Sequence, residues 1–286
     1  MSGDEILVGY DGSVDATRAL DWALEEAEQS GRPVRLAYVF EWVTVAGWVG
    51  PGLAPGSWPD DTARQEVEAL VDRAVLDAAS ARPTVIVHGE VLDGPPALVL
   101  GERSASAGLL VLGSRGHGGF GGLLAGSTAV SVSAHAHCPV VVVRDGDVAT
   151  GRTGRVLVGV DGSPTSLLAL GFAMERAAQR GVPLQVVRAW EPAANGGLAP
   201  DNAVAAERAA LDEPLARWRE TYPDVEVTVD VVTGRPAGAL VEASRDAQLV
   251  VVGTRGRGGL RGMLLGSVSQ QLLQHAHCPV AVVRER

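Results

Sequence analysis

Two short glycine-rich segments carry the side chains best suited to chemistry, and each occurs twice. The first is Gly9-Tyr10-Asp11-Gly12-Ser13, answered by Gly159-Val160-Asp161-Gly162-Ser163. A carboxylate flanked by glycines lets a ligand approach the backbone and accepts from an exocyclic amine or a ribose hydroxyl. Asp-Gly-Ser also serves as a helix N-cap or Asx-turn, so taken alone the segment leaves both uses open. The second is Gly113-Ser114-Arg115-Gly116, nine residues, then Gly126-Ser127-Thr128; its copy is Gly253-Thr254-Arg255-Gly256, nine residues, then Gly266-Ser267-Val268. Glycines after a strand free backbone N–H groups to form an anion nest, and a helix opening at Gly-Ser turns its positive end toward phosphate. Arg115 and Arg255 add positive charge, and no carboxylate lies in either loop to oppose an anion.

Other chemistry is excluded by composition. All 24 basic residues of the 286 are arginine, so a Walker A loop and a Schiff-base enzyme both lack their lysine. The formal net charge of −10 disfavours nucleic acid and anionic membrane as partners. That acidity belongs to residues 1–150, with 9 basic and 20 acidic side chains against 15 and 14 in residues 151–286. Cys138 and Cys278 are too few for a disulfide framework. No apolar run reaches the roughly 18 residues of a membrane span, and Met1–Glu5 lacks the basic start of a secretion signal. A cytoplasmic protein is expected.

These loops must be held by regular elements, and the elements also repeat. Ile6–Ser13 matches Val156–Ser163 at an offset of 150; Leu109–Gly116 matches Leu249–Gly256, and His135–Val140 matches His275–Val280, at 140. The long segment Trp42–Asp61, rich in Gly, Pro and Trp, accounts for the difference. Such a period signifies a duplicated domain and not a solenoid, with halves at 1–145 and 154–286 and a polar junction at Asp145–Gly154. Within a half, strands are expected at Ile6–Gly9, Arg35–Phe40, Thr84–Val91, Leu109–Gly113 and Val140–Arg144. Helices are expected from an N-cap at Ser13 to about Ser30 with Gly31 closing it, and at Asp61–Ala81, Pro95–Ser106 and Gly126–Ala136. Strand, helix, strand in this order implies parallel strands with right-handed crossovers and both faces of the sheet covered. Ligands then bind beyond the carboxyl ends of the strands, where the two glycine segments fall.

The start Val-Gly-x-Asp-Gly-Ser, the pattern Gly-x2-Gly-x9-Gly-Ser and the run His-Ala-His-Cys-Pro-Val together resemble the universal stress protein family in its ATP-binding, tandem form. The resemblance implies two flavodoxin-like, Rossmann-like domains, each a five-stranded parallel sheet of order 3-2-1-4-5, with one ATP, and Mg2+ beside it, per domain. It places Asp11 and Asp161 at the adenine end, backbone near Val39 and Ala189 along the base pocket, and Gly9 and Gly159 beside the base. Gly113, Ser114, Arg115, Gly116, Gly126, Ser127 and Thr128 would hold ribose and phosphate in the first half. Gly253, Thr254, Arg255, Gly256, Gly266, Ser267 and Val268 would do so in the second. It also implies that Val140–Val143 and Val280–Val283 pair with each other, hiding two aliphatic edges, and that a homodimer of four domains acts on a protein partner.

Other residues receive plainer readings. The histidines around Cys138 and Cys278 are read as helix-terminal side chains beside a buried thiol, since their spacing fits no zinc site. His117 is an optional phosphate contact, replaced by Arg257 in the second copy. Trp42, Trp48 and Trp58 belong to a self-packed loop or a flap; Trp22, Trp190 and Trp218 belong to the core. The run Glu25–Glu28 is expected to form a solvated helix face. No base, arginine finger or second carboxylate stands out for phosphoryl transfer, so a nucleotide-dependent regulatory protein is the primary reading. An ATP-using enzyme of slow or adenylating type and a nucleotide-free scaffold are the alternatives.

Overall fold

The computed structural model describes residues 5–41, 61–116, 125–144, 154–190, 200–257 and 264–285. The junction residues 145–153, the tryptophan segment and His117 lie outside them. The first half runs β1 (Ile6–Gly9), α1 (Val14–Ser30), β2 (Val34–Phe40), α2 (Asp61–Ala81), β3 (Val87–Asp93), α3 (Pro96–Arg103), β4 (Leu109–Gly113), α4 (Ser127–His135) and β5 (Val140–Val143). The second runs β6 (Arg155–Gly159), α5 (Pro164–Arg180), β7 (Leu184–Trp190), α6 (Pro200–Ala209), α7 (Asp212–Thr221), β8 (Val227–Thr233), α8 (Pro236–Ala243), β9 (Ala247–Gly253), α9 (Ser267–His275) and β10 (Val280–Val283).

The ten strands among the described residues form one sheet in the order β3-β2-β1-β4-β5-β10-β9-β6-β7-β8. Each half therefore has the order 3-2-1-4-5, parallel throughout. The halves join where β5 and β10 run antiparallel, with Val141 opposite Ala281. Alternation along the strands divides the core between the two faces. Ile6 and Val8 point to the face covered by α1, α2, α5 and α7, while Leu7, Leu110 and Leu112 point to the face covered by α3, α4, α8 and α9.

Two elements depart from the expected pattern. β3 begins at Val87 and not at Thr84, because a turn closed by Val85 N–H on the Arg82 carbonyl (3.0 Å) tucks Val85 into the core first. The single helix α2 is answered in the second half by two, α6 and α7. Pro214 has no N–H to continue the ladder, and the chain restarts with Leu215 N–H on the Leu211 carbonyl at 3.0 Å.

The aliphatic β5–β10 pair is flanked by polar and ionic contacts between the halves. Arg144 donates to the Gln274 carbonyl at 2.8 Å and Arg284 to the Ala134 carbonyl at 2.9 Å, so each half supplies a cation to the last turn of the other's helix. Between α1 and α5, the fully buried Glu26 pairs with Arg176 at 2.9 Å and Arg180 at 3.1 Å. Arg176 lies 4.6 Å from the Phe172 ring centroid and Arg180 5.0 Å from that of Trp22. This corrects the reading of Glu25–Glu28 as a wholly solvated face: Glu26 turns into the junction.

Candidate functional site

The two glycine segments converge at the carboxyl ends of the central strands in both halves. In the second half, Gly162 takes a left-handed φ of 81° directly after β6. Ser163 then caps α5, its hydroxyl accepting from the Ser166 N–H at 3.3 Å. Across the gap, the Thr254 N–H donates to the Val283 carbonyl at 2.8 Å, and the Gly266 N–H donates to the Thr254 carbonyl at 2.7 Å. These two bonds hold the loop after β9 against the start of α9. Gly266 is the N-cap of α9, with no side-chain cap bond from any described residue, so its first-turn N–H groups are open to a ligand.

Glycine is required for this closeness. A Cβ on Gly253 would stand 2.7 Å from Thr165 Oγ1 and 2.9 Å from the Thr165 carbonyl carbon, and one on Gly159 would stand 2.7 Å from Leu240. A Cβ on Gly256 would run into the Asp161 carboxylate.

A cavity of about 310 Å3 opens between these segments. Gly159 and Asp161 line it from β6, Ala189 from β7, Gly253, Thr254, Arg255 and Gly256 from β9, and Gly266, Ser267 and Val268 from α9. Val160, Val187, Leu240, Val252 and Leu265 supply apolar wall, and Pro236, Ser166 and Ser269 complete the lining. Every site residue expected in the second half thus borders one cavity, with an apolar side and a side rich in backbone N–H groups.

The first half repeats the skeleton. Ser13 caps α1 by accepting from the Ala16 N–H at 3.2 Å, and Gly12 has a φ of 82°. The Ser114 N–H donates to the Val143 carbonyl and the Gly126 N–H to the Ser114 carbonyl, both at 2.7 Å. Gly113 and Gly126 are thereby held at the end of β4, with Arg115, Gly116 and Ser127 exposed and Thr128 half-buried. Gly9 ends β1 against Leu112 and Leu100, and Val39 is half-buried near the end of β2. The nine residues between the glycine pairs lie mostly outside the described residues in both halves, which leaves the outer rim undescribed.

The aspartates are tied to the neighbouring loop. Asp161 accepts from the Ser163 N–H at 2.9 Å and the Arg257 N–H at 2.7 Å; Asp11 accepts from the Ser13 N–H at 3.0 Å. Both proposed uses of Asp-Gly-Ser therefore meet here, since the carboxylate forms an Asx-turn and also lines the cavity. Burial pushes the Asp161 carboxyl up, but hydrogen bonds from Ser163, Arg257 and Ser166 outweigh it, and its folded-state pKa lies below the ordinary value. A lowered carboxylate stabilises the fold in full above the ordinary range and loses that contribution as pH falls through its folded value. Asp161→Asn is accordingly expected to lower the urea midpoint at neutral pH and to converge on wild type in strong acid. Urea curves for the two proteins that stay equally far apart at both pH values would contradict this.

Among the described residues no three His, Cys, Asp or Glu side chains gather to hold a metal, and no helix is long and apolar enough to cross a membrane. Cys138 and Cys278 are buried. Trp22 is buried and Trp218 half-buried against the core.

The fold is a doubly wound α/β unit in two copies, with a cavity at the carboxyl ends of the strands in the second. The chain belongs to the universal stress protein family, whose model matches residues 4–144 and 153–284. A universal stress protein of Mycolicibacterium smegmatis is 40% identical over 288 residues, covering 98% of this chain and 97% of the relative. One from Mycobacterium tuberculosis is 41% identical over 293 residues, covering 98% and 96%. Among solved structures, a universal stress protein from Archaeoglobus fulgidus superposes with a TM-score of 0.76 at 20% identity, covering the whole of both chains, a likeness of fold.

Proposed function

We propose that this universal stress protein is an ATP-binding regulator of the stress response, with one nucleotide site in each half, 1–145 and 154–286, and slow or no hydrolysis. The observation that carries this reading is the cavity between β6, β9 and α9. Its apolar wall of Val187, Leu240 and Val252 suits a purine, and its opposite side presents Gly253–Gly256 and the start of α9, which suit phosphate. The glycines let the loops close on α5 and on Asp161, since a Cβ on Gly253 or Gly256 would meet backbone or carboxylate, and they leave backbone N–H groups to face the cavity. ATP would be held by Asp161, Ala189, Gly253–Gly256 and Gly266–Val268, and by Asp11, Val39, Gly113–Gly116 and Gly126–Thr128 in the first half.

Asp161 is the one carboxylate among the cavity's described lining residues, and backbone N–H groups engage both its oxygens. Mg2+ would therefore arrive with the phosphates. Among the described lining residues no side chain is poised as a base for phosphoryl transfer. Bound ATP acts by shifting the population of a conformation or an interface. In this reading the protein works in the cytoplasm as a homodimer with a protein partner.

The test is to purify the protein without added nucleotide, denature it, quantify released ATP, ADP and AMP per chain, and titrate the stripped protein with MgATP. Retained or titratable ATP that survives incubation is the expected result. ADP accumulating in place of ATP would favour an enzyme. Absence of binding in both measurements would leave a nucleotide-free scaffold.

A further inference from the structure

The two halves differ at several positions of the anion nest, and one of them changes its charge. In the first half it is Asp15, in the first turn of α1; in the second it is Thr165, in the first turn of α5. The buried Asp15 carboxylate accepts from the Ser114 hydroxyl at 2.8 Å and from the Arg115 N–H at 3.1 Å. Its other oxygen pairs with Arg18 at 3.0 Å. Thr165 reverses the sense of the contact: its hydroxyl donates to the Arg255 carbonyl, and no described residue accepts from the Arg255 N–H.

One nest thus holds a built-in anion on a backbone donor that a phosphate would use. The other presents that donor with no described carboxylate accepting from it. The surroundings run the same way. Arg257 approaches Gly162 in the second half, as does the buried Arg188, which is paired with Glu207, whereas the residue matching Arg188 in the first is Tyr38. A phenol carries no positive charge at any pH, and burial, then Asp11, keeps the Tyr38 hydroxyl in its neutral form.

We propose that the two sites are unequal by charge: the second half holds the phosphate chain of a nucleotide tightly, the first holds it weakly, and Asp15 is the residue that sets the difference. The inference rests on the nucleotide reading above. An internal carboxylate competes with phosphate for the same N–H and repels it at close range, so a gap of at least about tenfold in affinity is expected.

The experiment is calorimetric titration of MgATP into the full-length, nucleotide-stripped protein, with Gly126→Asp and Gly266→Asp used to assign each binding step to its half. Wild type should show one tight step, removed by Gly266→Asp, and one at least about tenfold weaker. Asp15→Thr installs the residue that the second half already carries and should bring the weak step toward the tight one. Thr165→Asp should weaken the tight step by a similar factor. Asp15→Asn, which keeps an acceptor oxygen and drops the charge, provides a second route should Asp15→Thr fold poorly, and thermal melts of each variant report that directly. Equal steps in wild type, or steps left unequal by both Asp15 variants, would overturn the proposal while leaving nucleotide binding intact. No step in any variant would overturn the nucleotide reading and this inference together.

Discussion

Glu26→Ala is expected to destabilise the folded protein by about 3–5 kcal/mol, the range for removing one partner of a buried ion pair. Glu26 is fully buried, and its two partners Arg176 and Arg180 are almost so. The Nε atoms of both arginines are buried with no hydrogen-bond partner among the described residues, so the pair relies on the carboxylate. Burial pushes the Arg176 guanidinium down and Glu26 opposes that; without the glutamate the charge cannot be shed, because arginine does not deprotonate in proteins.

Glu26 and Arg176 occupy the same position of the repeat, 150 residues apart. They meet because α1 and α5 pack at the junction of the halves. Two copies of one half in that arrangement would set Glu against Glu or Arg against Arg. Exchange of the pair, Glu26→Arg with Arg176→Glu, should therefore recover much of what either substitution alone removes, since the new carboxylate faces its partner from the other helix. Urea unfolding of wild type, Glu26→Ala, Glu26→Arg, Arg176→Glu and the double exchange makes the comparison. A cost below about 1 kcal/mol for Glu26→Ala would show that water reaches the site and that the pair behaves as a surface bridge.

Gly266→Asp is expected to reduce MgATP affinity at the second half by a factor on the order of 100, while leaving stability unchanged or slightly raised. The two effects have separate causes. Gly266 has φ −73° and ψ 159°, ordinary extended backbone for an N-cap, and a Cβ there meets the Thr254 carbonyl oxygen only at 3.4 Å. Aspartate is a favoured N-cap that can accept from the open N–H groups of α9, stabilising its first turn. The same carboxylate then sits where phosphate would bind. Opposed movements of binding and stability distinguish this from misfolding, which lowers both. Affinity held at the wild-type value would remove Gly266 from the neighbourhood of the phosphates. Gly253 is a poorer choice for the purpose, because any side chain there strikes the backbone of Thr165.

Much of the fold was legible because it is written in local patterns. Aliphatic runs of four to seven residues, the Ser13 and Ser163 caps and the left-handed glycines Gly31 and Gly181 each report on their immediate neighbours, and the duplication supplied every signal twice. The glycine positions of the candidate site were legible for the same reason. Asp15 was not. Two residues after Ser13 it looks like an ordinary acidic first-turn residue, favourable toward the helix dipole. Only the approach of Ser114 and Arg115, 99 and 100 residues later, turns it into a group inside the nest. Glu26 was misread by the same logic, as one acid in an acidic run.

The sequence by itself determined the strand and helix order, the duplication and the two glycine segments, because these depend on periodicity, turn stereochemistry and residue type within a few positions along the chain. Tertiary structure alone decided which side chains of the two halves meet. It buried Glu26 between Arg176 and Arg180, and set a carboxylate in one nest and a hydroxyl in the other. Those contacts join residues about 100 or more positions apart, where the energy of an interaction depends on burial and distance in space, and no local pattern along the chain encodes either.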